Sequence, residues 1–418
     1  MLKSRLCIAF FAFAVGCAPA QKPLTDYVNP MLGTATLWDS VDLGFKPTKR
    51  TWGAEVFPGS SLPNAMVQVS PVTKFHSGAG YQYEDSVIYG FTHTNKGHWN
   101  LCHIPLLPVT GTPTPGDYCS PFSHERESAA PGYYQVFLDR YGVDAQLSST
   151  LRCAFHKYTY PAGAAASLLA DLQRSNEHVR AWDIRKEGDN VFAGWQQTGE
   201  KMYFYAVANR PVTGIEPVVE GDREVRIVRF GEGDGALELR IGFSFVSEKN
   251  ARENLEAEML GKSFAEVRSE ATATWNDLLG RIRVEGGTER EKGLFYSSLY
   301  RSFLWPALRS DVNGEFTDVD GKVINPGFRY YTGPSYWDDY RNKLILLGML
   351  APDVAADVIS SDTDKGEKRG GFMPTFFHGD HASAFVAGTY LRGNRGFDVN
   401  RAYNLVLRNA TVQGPSRP

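Results

Sequence analysis

Apolar and polar positions alternate along the first part of the chain. Residues 133–138 read as a strand, and Leu151, Cys153 and Phe155 alternate with Arg152, Ala154 and His156. Residues 202–207 and 237–245 continue the pattern, and Pro131-Gly132 and Pro161-Ala162-Gly163 supply turns. Short strands with regular turn signals predict a β-sandwich over 23–250. The pattern changes near residue 250. Residues 251–287 read as a helical linker: 251–279 is rich in Ala, Glu, Leu and Arg, and 282–285 is a short strand ending at Gly286-Gly287. Helices dominate 288–418. A helix over 290–308 is apolar on nearly every face and is ended or kinked by Pro306. Residues 337–350 look similar. Pro352 fits the first position of a helix over 353–360. A helix over 380–391 ends at Gly393, and Asp398 can cap 399–410.

The first 20 residues read as a targeting segment. Lys3 and Arg5 precede an apolar run over 6–15, shorter than the ~20 residues of a membrane span. Ala18-Pro19-Ala20 is a cleavage signal, and Ala14-Val15-Gly16-Cys17 resembles a lipobox that would put a lipid anchor on Cys17. Both predict export, to the periplasm or cell surface. With 42% hydrophobic residues the chain can bury a core, which excludes wholesale disorder. Its 44 Lys+Arg against 47 Asp+Glu argue against a nucleic-acid partner. The 8 Trp, 20 Tyr and 25 Phe suit a sugar-binding cleft, and equally an ordinary β core. Beyond the leader, Cys102, Cys119 and Cys153 leave open one disulfide with a free thiol, or three buried thiols.

Several ordered blocks carry a resemblance. They include Tyr27-Val28-Asn29-Pro30-Met31-Leu32-Gly33-Thr34, the run from Phe57 to Pro71, Gly80-Tyr81-Gln82-Tyr83 and Tyr89-Gly90-Phe91-Thr92-His93-Thr94. Later come Trp275-Asn276, Phe295-Tyr296-Ser297-Ser298-Leu299-Tyr300, Ser335-Tyr336-Trp337-Asp338-Asp339-Tyr340-Arg341 and Gly379-Asp380-His381-Ala382. Together they resemble glycoside hydrolase family 92, the bacterial calcium-dependent exo-α-mannosidases. The departures are Lys74-Phe75-His76-Ser77-Gly78-Ala79, which lacks the family's usual Trp, the stretch Asn95 to Cys102, and an insert near 37–52. They fall where the resemblance places loops facing the active site, so linkage and sugar specificity stay open.

The resemblance implies a β-sandwich, a helical linker and the first part of an (α/α)6 barrel. It also implies an inverting carboxylate pair, bound calcium and mannose-containing glycans as substrate. In the substrate subsite it places Asp338, beside Trp337, as an acceptor for sugar hydroxyls; the ordinary alternative is a helix cap or a pair with Arg341. Arg341 could orient Asp338. His76, His93, His98 and Trp99 are candidates for the cleft wall. Asp380 and His381 read as a helix cap that supports the cleft. Asp362, Asp364 and Glu367, diluted by Lys365, Lys368 and Arg369, read as a solvated loop. The family's general acid, general base and main calcium ligands follow the Gly379-Asp380-His381-Ala382 block at some distance, and so are expected beyond residue 418. A twelve-helix barrel needs roughly 220 residues, and 288–418 supplies about five or six helices. The 418-residue chain is therefore expected to be a truncated segment, inactive alone. Two alternatives stand beside this reading: a non-catalytic carbohydrate-binding surface protein, and another (α/α)6-barrel glycosidase or phosphorylase.

Overall fold

The computed structural model describes residues 22–36, 44–46, 55–95, 101–233, 235–375, 377 and 379–414. The leader with Cys17, the loop with His98 and Trp99, and most of the 37–52 insert lie outside these residues.

A β-rich domain is followed by a helical one. The β part holds two large antiparallel sheets and a two-stranded one, Val87–Ile88 with Ser120–Pro121. Seven strands run in the order Ser60–Ser61, Gln68–Val72, Gly90–Thr92, Leu106–Val109, Ser167–Ala170, Arg223–Phe230 and Val212–Glu220. Eight run in the order Ala181–Gly188, Val191–Gln197, Lys201–Ala208, Leu237–Ser244, Cys153–Thr159, Val143–Ser149, Tyr133–Leu138 and Glu127–Ala130. Val69, Phe91, Leu168 and Ile227 of the first sheet share one hydrophobic core with Val136, Leu147, Phe204 and Ile241 of the second. The Cys153–Thr159 strand is covered on both faces. Ala154 and Tyr158 join that shared core, while Cys153 and Phe155 pack on Leu255, Met259, Phe264 and Val267 of two helices. Its burial is therefore nearly continuous rather than alternating. Cys102, Cys119 and Cys153 are all free thiols, the first and last buried.

The stretch expected as one helical linker is two helices, Glu248–Glu258 and Phe264–Leu279. Gly261, at φ +89°, turns the chain between them, and a Ser263–Glu266 capping box starts the second. The first lies directly against the sheet. A Cβ on Gly242 would sit 2.1 Å from the Ala251 carbonyl oxygen. Gly242→Ala is expected to lower stability by about 1–3 kcal/mol, read as a lower urea midpoint; an unchanged midpoint would show that the helix can move away without cost.

Residues 282–285 are not a strand. The Tyr296 hydroxyl accepts from the Val284 amide (3.2 Å) and donates to the Ile282 carbonyl (3.2 Å). A side chain thus serves backbone groups there, and no neighbouring strand does. The next helix, Glu289–Ser302, starts in a Thr288–Glu291 capping box and stops short of Pro306. It is not buried all round, since Leu294 is 45% exposed and Phe295 36%. The 337–350 stretch divides into Tyr336–Asp339 and Lys343–Leu350, the second capped by Asn342. Pro352 does open a helix, but it runs through Lys368. Asp380 caps His381–Leu391, with Gly393 in the left-handed region just after it, and Asp398 caps Val399–Thr411. Among the described residues no single helix is long and apolar enough to cross a membrane.

The acidic cluster at 362–367 is helical, not a solvated loop. Asp362 is fully buried and Asp364 nearly so. Lys365 Nζ lies 2.8 Å from Asp362 Oδ1, and Lys368 Nζ bridges Asp364 (2.8 Å) and Asp318 (2.9 Å). The lysines that seemed to dilute the cluster neutralise it at helical i,i+3 and i,i+4 spacing.

Polar contacts fix one domain on the other. Asn64, itself at φ +53°, donates its amide to the Phe303 carbonyl (2.6 Å) and its Nδ2 to the Pro306 carbonyl (2.8 Å). Its own carbonyl accepts from the Leu308 amide (2.9 Å). Trp275 Nε1 donates to the Ser61 carbonyl (2.7 Å). Arg152, on the β side, pairs with Glu258 and reaches the Ser310 carbonyl.

Candidate functional site

The segment Ser335–Arg341 is positioned from behind. Tyr336 is buried, and its hydroxyl donates to the Asp362 carboxylate, which Lys365 neutralises. Asp339 is also buried; its Oδ2 accepts from the Ser335 amide (3.2 Å) and from Lys343 Nζ (3.1 Å). With Tyr336 and Asp339 turned inward, Trp337 and Asp338 are turned outward, and Trp337 is 46% exposed.

Asp338 lines a cavity of about 170 Å³ at the junction of the two domains. Glu55, Gln68 and Asn95 form the β-domain wall, and Arg301, Trp305 and Lys343 contribute from the helical side. The β wall is rigid. Gln68 Oε1 accepts from the Asn95 amide (3.0 Å), while its Nε2 crosses to the Leu304 carbonyl (2.8 Å). Arg301 Nη2 is buried and makes no hydrogen bond among the described residues, and burial holds its guanidinium below the ordinary arginine value. The cavity therefore offers carboxylate acceptors, amide groups and an unmatched cationic donor, a set suited to a hydroxyl-bearing ligand.

Arg341 does not pair with Asp338. Its Nε donates to the Tyr340 hydroxyl (2.9 Å) and its guanidinium lies 5.1 Å from the Tyr340 ring centre. His381 stacks on the same ring, at 4.1 Å and 5°. Trp337 meets Phe377 edge-on at 6.0 Å. Thus Arg341 and His381 come together on Tyr340, while Trp337 packs on Phe377 and Asp338 faces the cavity apart from them. Asp380 acts as the cap, accepting from the Ser383 amide (3.3 Å).

His93 does not line a cleft. It is fully buried between the two sheets. Its Nδ1 donates to the Ile104 carbonyl (2.9 Å), because a carbonyl can only accept. Nε2 of the neutral ring then accepts from His156 Nε2 (3.0 Å), and His156 Nδ1 accepts from the Tyr158 hydroxyl. These proton positions are assigned from the network. Burial pushes the His93 pKa down to about 3. His76 lies in a separate groove formed by the β domain alone. Gln68, Asn95 and Arg301 were not singled out from sequence. The signal for Gln68 was a polar residue within the apolar run Ala65-Met66-Val67-Gln68-Val69.

The family resemblance implies calcium. Among the described residues no three His, Cys, Asp or Glu side chains converge to hold a metal ion.

The structure is thus a β-rich domain followed by a helical one, with Asp338 and Trp305 in a cavity at their junction. Residues 27–253 match the glycosyl hydrolase family 92 N-terminal domain and residues 250–418 the glycosyl hydrolase family 92 catalytic domain. The chain belongs to glycosyl hydrolase family 92. A family GH92 α-mannosidase from Bacteroides thetaiotaomicron has 26% sequence identity and a TM-score of 0.83, over 92% of this chain and 56% of that one. It has also been solved in complex with mannoimidazole. A family GH92 inverting mannosidase of the same organism shares the fold, at 24% identity and a TM-score of 0.81, over 94% of this chain and 56% of that one. An uncharacterised secreted glycosidase of Arthroderma benhamiae is 24% identical over 93% of this chain and 52% of its own length. The chain spans about half the length of the relatives it matches.

Proposed function

We propose that this chain forms the β domain and first helical portion of an exported, exo-acting α-mannosidase. The enzyme cleaves α-mannosidic linkages of glycans with inversion and calcium assistance, and Asp338 holds the terminal sugar. The observation that carries this reading is the outward-turned Asp338 in the domain-junction cavity, beside Trp305 and set on a buried Tyr336–Asp362–Lys365 anchor, in a chain whose two parts both match the family. An ionised carboxylate can accept from two neighbouring hydroxyls, and an indole face suits the C–H groups of a sugar ring. Arg341 and His381 act by fixing Tyr340, two residues beyond Asp338 in the chain. Export is supported by the 1–20 leader and by the relative described as secreted.

Inversion needs an acid and a base roughly 6.5–9.5 Å apart with water between them. Neither role is assigned to any described residue, so the 418-residue chain is proposed to bind mannosides without releasing mannose. Calcium-dependent mannose release by the purified chain would place the catalytic pair within it.

Asp338→Ala is expected to weaken binding of methyl α-mannoside by about 10- to 100-fold, the equivalent of one or two charge-assisted hydrogen bonds. Asp338→Asn is expected to fall between it and the unaltered chain. Unchanged affinity in titration calorimetry of Asp338→Ala would remove Asp338 from the sugar site.

A further inference from the structure

A groove of about 1210 Å³ in the β domain is lined entirely by residues between Thr73 and Arg223. It takes nothing from the helical domain, so it is separate from the cavity at Asp338. We propose that this groove is a second saccharide-binding site, one that holds an oligosaccharide chain independently of the bond cleaved at the domain junction.

Its charge composition selects the ligand class. Lys74, Arg174, Arg180 and Arg223 supply four cations. Glu84, Asp85, Glu177 and Asp222 supply four carboxylates. A balanced wall gives a polyanion or polycation no net attraction. Fixed donors beside fixed acceptors suit a neutral ligand whose every polar group both donates and accepts, which is the property of a hydroxyl. Aromatic rings in the same wall suit the C–H faces of sugar rings.

The groove is also preorganised. The Arg174 guanidinium lies 5.1 Å from the Phe75 ring centre and 5.2 Å from that of Tyr89, and its Nη1 donates to the Tyr118 hydroxyl (3.3 Å). Arg223 is held by the fully buried Asp171 (2.8 Å) and the Pro115 carbonyl (2.6 Å). Trp182 also lines the groove, with the Arg226 guanidinium 5.3 Å from its ring centre. His76 occupies a left-handed conformation at φ +62°, its amide bonded to Asn176 Oδ1 (2.7 Å) and its Nδ1 to the Asn176 carbonyl (3.1 Å). That leaves His76 Nε2 as an acceptor at an exposed position, on strained backbone of the kind that persists at binding sites. Side chains already immobilised lose little freedom on binding.

The test is affinity electrophoresis of the whole chain in gels containing yeast mannan, xylan or a β-glucan. Retardation by at least one of these is expected. Trp182→Ala should weaken it at least tenfold, and Trp182→Phe by no more than about threefold. His76→Ala, at an exposed position, should weaken it severalfold with an unchanged circular dichroism spectrum. Asp338→Ala should leave it intact. The proposal is overturned by no retardation in any of the three gels, by equal retardation of the unaltered and His76→Ala chains, or by loss in Asp338→Ala alone. The mannoside titration at Asp338 is read separately, so either site can fail without the other.

Discussion

Arg152→Met is expected to lower the stability of the chain by about 3–5 kcal/mol, the range found when one partner of a buried ion pair is removed. The Arg152 and Glu258 side chains are only 9% and 14% exposed, with Nη1 and Oε1 2.6 Å apart. Glu258 Oε2 additionally accepts from the Thr150 hydroxyl (2.6 Å) and the Arg152 amide (2.9 Å). Arg152 Nε donates to the Ser310 carbonyl (2.8 Å), in the segment that follows the Glu289–Ser302 helix. Methionine keeps the bulk but abandons a buried carboxylate and a buried carbonyl together. Typical domains are stable by only 5–15 kcal/mol, so the loss is a large share. The pair Arg152→Met with Glu258→Met should recover part of it, since removing both charges leaves neither one stranded. Urea unfolding followed by circular dichroism reads both. A loss below about 1 kcal/mol for the single variant would mean that the domain junction does not depend on this pair.

Acid is expected to unfold the β domain well above the usual carboxylate range. His93 and His103 are both buried without a compensating anion in contact, and burial lowers their pKa values to about 3 and about 4. His156 is shifted the same way by burial. A histidine whose folded pKa lies below its unfolded value of about 6.5 takes up protons preferentially when unfolded. Its contribution to stability is complete above pH 6.5 and declines as the pH falls toward the folded value. At pH 5, His93 and His103 each then cost about 2 kcal/mol. Asp311 works in the opposite sense. Burial raises its pKa to about 6 against the bonds from Ser244 (2.6 Å) and Asn254 (2.6 Å). Its penalty builds between pH 3.8 and 6, so moving from pH 7 to pH 5 returns roughly 1 kcal/mol. The net expectation is a melting temperature that drops steeply between pH 6.5 and 5. In Asp311→Asn the drop should be steeper, because the opposing titration is gone. A melting temperature flat across that interval would contradict the burial of the histidines.

Much of the fold was legible because it rests on local rules. Pro352 at a helix start, Asp380 and Asp398 as caps and Gly393 as a terminator all act within a few residues of themselves, and each lies where the pattern puts it. What misled was burial imposed from far along the chain. Asp362 and Asp364 look like surface acids until Tyr336, Lys365 and Lys368 close around them. His93 looks available until His156, on the opposite sheet, satisfies it. The candidate site was partly legible for a related reason. Trp337 and Asp338 stand in a recognisable sequence block, whereas Arg301 and Asn95 become relevant only once the domain junction brings them to the same cavity.

Asn64 carries a consequence for rates. One residue of the β domain holds the Phe303, Pro306 and Leu308 backbone through three hydrogen bonds. A hinge motion between the domains would break all three at once, which disfavours an open junction. If Asp338 holds a sugar as proposed, the described part of its cavity is already assembled before the sugar arrives. The expected association of mannoside at Asp338 is then a single encounter step whose observed rate rises linearly with ligand concentration; a plateau in stopped-flow binding would instead show a closing motion.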